Sequence, residues 1–146
     1  MRRLIAAGAT GLCAAGTLLG CATPVALPPP ASPPLACAAL DAELPTRVAG
    51  QDSRPTDPES AVTAAWGDPP ISLRCGVPVP TAYQPTSQLL TINGVDWLPE
   101  PLTDGVRFTS IGRVANVEVT VPAAYRPEAD IAVQLSGAVS RAIPPA

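Results

Sequence analysis

The sequence predicts a small single α+β domain, a mostly antiparallel sheet with helices on one face and one disulfide. Three observations predict it. Residues 115–121 alternate, with Val117, Val119 and Val121 on one side and Glu118 and Thr120 on the other, as a half-buried strand requires. Asn93-Gly94 joins two short apolar runs and reads as a hairpin turn. Pro127-Glu128 opens a segment with Ile131, Leu135, Ala138 and Val139 at helical spacing.

The chain opens with Arg2-Arg3, followed by 16 uncharged residues from Leu4 to Leu19 and then Gly20-Cys21. That apolar run falls short of the roughly 20 residues a spanning helix needs. Basic start, apolar core, small residue and cysteine resemble a bacterial lipoprotein signal with its lipobox, Leu18-Leu19-Gly20-Cys21, in which Leu19 stands where Ala or Ser is more usual. The resemblance implies cleavage before Cys21, lipid on Cys21, and export to the outer face of the cell membrane. An uncleaved anchor and an ordinary secretion signal are rival readings of the same stretch. Residues 1–20 are thus a signal peptide, 21–34 a lipidated cysteine and tether, and 35–146 one domain. The tether is expected because Pro24, Pro28, Pro29, Pro30, Pro33 and Pro34 favour extended polyproline II and cannot fold alone.

The remaining elements follow in order. Residues 35–44 read as a helix through Cys37, Leu40 and Leu44, stopped by Pro45, and residues 47–52 as a short strand. Thr56-Asp57-Pro58-Glu59 has the residues of a helix start, which predicts a helix over 61–66 ending at Gly67. Strands are expected over 71–75, 88–92, 95–98, 106–111 and 115–121, with 99–105 as a loop.

Composition narrows the function. Removing 20 of 146 residues leaves 126, enough for one small domain. Seven arginines against twelve acids then give 7 − 12 = −5. An acidic chain without a basic stripe argues against nucleic acid, and against docking on anionic lipid by charge alone. The chain contains neither histidine nor lysine, which removes the usual acid–base residue, the Schiff base and the Ser-Lys pair. Cys37 and Cys75 are the pair left after the leader, without C-x-x-C spacing, and are expected to form a disulfide worth about 3–4 kcal/mol. No metal or cofactor is expected.

Several stretches share a pattern: Cys37-Ala38-Ala39-Leu40, Trp66-Gly67-Asp68-Pro69, Leu73-Arg74-Cys75-Gly76, Gly94-Val95-Asp96-Trp97 and Val117-Glu118-Val119. This pattern resembles a family of small exported or membrane-anchored actinobacterial proteins known as a domain of unknown function. The resemblance supports the envelope address and implies no activity.

Three sets of side chains are candidates. Trp66 and Asp68, with Asp96 and Trp97, place an indole near a carboxylate twice, and with Arg74 they suit a cleft that stacks a sugar or peptide. Their competing role is core filling. Asp96, Glu100, Asp104 and Glu118 suit carboxylate-driven hydrolysis or calcium only if the fold gathers them. Arg74, Arg107 and Arg113 can clamp an anion or pair with acids across the sheet. The reading adopted is a non-catalytic interaction module of the cell envelope, held by its lipid and binding an envelope protein. The alternative is a small-ligand or glycan-binding module using Trp66 and Trp97, and the third reading is the hydrolase.

Overall fold

The computed structural model describes residues 22–146; Cys21 and the leader lie outside the described residues. Eight strands form one sheet in the order β2-β3-β5-β6-β10-β9-β8-β7, and every neighbouring pair is antiparallel. The strands are β2 (Arg47–Val48), β3 (Gln51–Arg54), β5 (Thr63–Trp66), β6 (Ile71–Val77), β7 (Leu90–Ile92), β8 (Val95–Leu102), β9 (Gly105–Ile111) and β10 (Asn116–Pro122). After β6 a long loop carries the chain to the far edge, and β7 through β10 return as a meander to pair with β6. Asn93 and Gly94, at φ 51° and 73°, make the two-residue turn between β7 and β8. Both angles are positive, which asparagine and glycine tolerate best.

Helices α1 (Ala36–Asp41) and α2 (Ala129–Ala142) pack on one face of this sheet. Helix α2 buries Ile131, Leu135, Ala138 and Val139, the stripe its spacing predicts. Each such side chain contributes about 1.5–3 kcal/mol when fully buried. Opposite them, β6 buries Ile71, Leu73 and Cys75, and β10 buries Val117, Val119 and Val121. The disulfide Cys37–Cys75 forms as expected, with Cα atoms 5.6 Å apart, and fastens α1 to β6.

Three expectations need correction. Residues 61–66 are not helical: β5 pairs with β6, Trp66 opposite Ile71 and Thr63 opposite Arg74. The β-branched Val62 and Thr63, with Trp66, suit a strand that pairs across the turn at 67–70. Likewise, 99–105 is not all loop, since β8 continues through Pro99 and Pro101 to Leu102. Strand β7 stops at Leu90, opposite Trp97, so beyond that point one side of β8 is an edge, where a missing N–H is tolerated.

The third correction concerns the proline-rich segment, which lies along the domain rather than ahead of it. Strand β1 (Val25–Ala26) pairs in parallel with β4 (Thr56–Asp57), and Arg54 Nη2 donates to the Thr23 carbonyl at 2.6 Å. Pro33 meets the sheet at Gly76, where the register with β10 slips by one residue. Gly76 has φ +92°, and a Cβ there would come within 2.8 Å of Pro33 Cα, so both the bulge and the contact require glycine.

Candidate functional site

The two tryptophans are core residues. Trp66 is 1% exposed and Trp97 0%. Trp66 Nε1 donates to the Pro45 carbonyl at 3.0 Å, and Trp97 Nε1 donates to Ser136 Oγ at 2.8 Å. With rings covered and N–H groups satisfied, neither offers a stacking platform. They also sit four strands apart, about 19 Å at the usual strand spacing, so they do not share a cleft. Asp68 is exposed on the turn after β5, 4.0 Å from Arg54 Nη1. Asp96 accepts a 2.5 Å hydrogen bond from Thr91 Oγ1 on β7. Of the five residues expected to form a binding cleft, only Arg74 lines a groove on the sheet.

That groove, about 650 Å³, lies on the sheet face that the helices leave open. Alternation along each strand fixes its floor: with Leu73, Val119 and Phe108 turned to the core, Arg74, Glu118 and Arg107 must point the other way. Glu100 joins them from β8, in register with Arg107. Pro30 and Pro34 of the N-terminal segment border one side, and Pro78 and Pro80 of the loop after β6 another. Val79 and Val114, 54% and 44% exposed, also line it, which puts apolar groups around a charged floor.

The ion pairs are specific. Arg74 sends Nε at 3.0 Å and Nη2 at 2.7 Å to Glu118 Oε1. Arg107 Nε lies 3.6 Å from Glu118 Oε2, too far for a good hydrogen bond. One half-buried glutamate thus sits between two guanidinium groups, and the pairing of Arg74 and Arg107 with an acid across the sheet holds. Arg113 has a different task. It is 9% exposed and donates to the Gly94 carbonyl at 2.6 Å and to the Ile143 carbonyl, tying the hairpin to the C-terminal segment. It therefore braces the edge of the groove by holding two backbone carbonyls.

The four carboxylates do not gather. Glu100 and Glu118 share the groove, but Asp96 is four residues from Glu100 along β8, about 13 Å, and Asp104 sits exposed in the β8–β9 turn. Among the described residues no group of three or more Cys, Asp or Glu side chains is placed to hold a metal ion. Glu100 and Arg107 become a cross-strand pair only if β8 runs through its two prolines. A register count from the Asn93-Gly94 turn is the signal that would have placed them together.

A second cluster lies on the far side of the sheet. Tyr125 donates its hydroxyl to the Pro69 carbonyl at 2.7 Å. Burial raises its pKa above the ordinary 10.0, and the nearby Asp68 charge adds to the rise.

Fold and groove together define a small disulfide-stapled α+β domain with a charged, proline-walled hollow on its uncovered sheet face. The chain belongs to the family described as Protein of unknown function (DUF3515), which it matches over residues 11–146. Comparison with curated proteins and with solved structures finds no match.

Proposed function

We propose that this chain is an exported, lipid-anchored, non-catalytic binding module of the cell envelope, and that its contact surface is the open-face groove. The address rests on the basic start, the uncharged run and Cys21. The disulfide between Cys37 and Cys75 supports an oxidising compartment. The observation that carries the binding role is the apolar rim of Val79 and Val114 over the arginines and glutamates of the floor. Core packing has no use for these groups, and a partner that covers the rim removes apolar surface from water while meeting matched charges.

The partner of this reading is an envelope protein that lays a segment in the groove. The glycan-binding alternative through Trp66 and Trp97 loses its support, because both rings are covered. A photo-crosslinking residue placed at exposed Thr81, on the groove rim, tests the proposal in living cells, beside the same residue at exposed Asp130 on α2. The expected result is one envelope component captured from Thr81 and not from Asp130, with capture reduced by Cys21→Ala. Equal capture from both positions, or none from Thr81, would reject the groove as the contact surface. Turnover of an envelope substrate by the purified chain would reject the non-catalytic role.

A further inference from the structure

Among the described residues, the buried side-chain polar atoms without a hydrogen-bond partner are Glu100 Oε2, Arg107 Nε and Thr109 Oγ1. Such atoms are rare, and each calls for an explanation. All three belong to the open face of β8 and β9. Glu100 stands directly opposite Arg107, and Thr109 opposite Glu118. Opposite charges facing each other across an antiparallel pair normally meet. Here they do not: Arg107 leans to Glu118, and among the described residues no ion pair involves Glu100. The floor thus holds a carboxylate and a guanidinium that each keep one unpartnered atom beneath the surface, and both side chains line the groove.

We infer that this groove binds a zwitterionic ligand, an α-amino acid, with Glu100 taking the ammonium group and Arg107 the carboxylate. The inference rests on the groove being the contact surface. A purely anionic ligand would satisfy Arg107 and leave Glu100 facing a like charge. A purely cationic one would meet Glu100 and be repelled by Arg74 and Arg107. A ligand carrying both charges a few ångströms apart matches two groups held on neighbouring strands about 5 Å apart. Neutral sugars fit less well, because neither tryptophan lines the groove. The volume of about 650 Å³ leaves room for the side chain of an amino acid beyond its charged groups.

Equilibrium dialysis of the detergent-solubilised full chain, read by mass spectrometry, tests this. The probes are a mixture of proteinogenic amino acids beside its N-acetylated and C-amidated forms, with glucose as the neutral sugar. Unblocked compounds are expected to be retained, and blocking either end is expected to weaken retention at least about tenfold. Glu100→Gln and Arg107→Gln are each expected to weaken retention of unblocked compounds at least about tenfold, with an unchanged melting temperature for at least one of them. Asp130→Asn is expected to bind as the unchanged chain does. No retention of amino acids, equal retention of blocked forms, stronger retention of glucose, or wild-type binding by both groove variants would overturn the inference and leave water as the partner of the orphan atoms. If Thr81 still crosslinks in cells while dialysis retains nothing, the inference falls and the proposed contact surface stands.

Discussion

The two faces of the sheet are built on opposite terms. The covered face is apolar and satisfied: Trp66 and Trp97 are buried with their N–H groups bonded, and α2 lays its stripe across β8 and β10. The open face carries arginines and glutamates, and it holds the buried polar atoms that lack partners. One set of strands makes both, because alternate residues point to opposite sides. The contrast teaches that stability and the proposed binding draw mainly on different residues. Substitutions on the covered face are expected to change folding, and those on the open face to change what the domain holds.

The largest effect that would break the comparison lies in the core. Trp97→Ala is expected to cost about 3–5 kcal/mol, measured by urea denaturation, since it leaves a cavity and frees the Ser136 hydroxyl. A cost below about 1 kcal/mol would mean that the covered face is not the stabilising one. Next comes the staple. Replacing Cys37 and Cys75 together with serine is expected to remove about 3–4 kcal/mol, and reduction of the unchanged chain should have the same effect.

Within the open face the comparison sharpens. Glu118→Ala is expected to cost about 2 kcal/mol, because it leaves Arg74 and Arg107 without a counter-charge. Glu100→Gln is expected to change stability by less than about 1 kcal/mol, since among the described residues no ion pair involves that carboxylate and its Oε2 has no hydrogen-bond partner. A large loss in the second variant would place Glu100 in the fold rather than in a binding role.

The smallest effect concerns Tyr125. Its folded-state pKa is raised by burial and then by Asp68, so its stabilising effect is complete below the ordinary value of 10.0 and is lost as pH rises beyond it. Unfolding followed across about pH 9 to 11 should show a steeper fall for the unchanged chain than for Tyr125→Phe. Equal slopes would remove Tyr125 as the cause.

Much of this fold was legible where one residue type forces one conformation. Asn93-Gly94 fixed a hairpin, the valines of β10 fixed its faces, and the spacing of Ile131 to Val139 fixed a helix and its inner stripe. Legibility ended where distant pairing decides. Residues 61–66 carry helix-start signals upstream, yet the ladder with β6 overrides them. Proline hid the length of β8, because whether a missing N–H is harmful depends on where β7 stops. The site was hidden for the same reason. Trp66 and Asp68 are neighbours in sequence but point to core and solvent, whereas Glu100 and Arg107 meet only through register.

The pairing of β1 with β4 has a mechanical consequence. Thr23 is already held by Arg54, and Val25 by β4. With lipid on Cys21, one residue, Ala22, separates the anchor from that first fixed point, a leash of two Cα–Cα steps or about 7 Å at full stretch. That is comparable to the depth of a bilayer's headgroup layer. The domain of the proposed lipoprotein would therefore skim the membrane in a restricted orientation rather than sweep the space above it. Its search would be two-dimensional, and its ligand would have to arrive at the membrane surface.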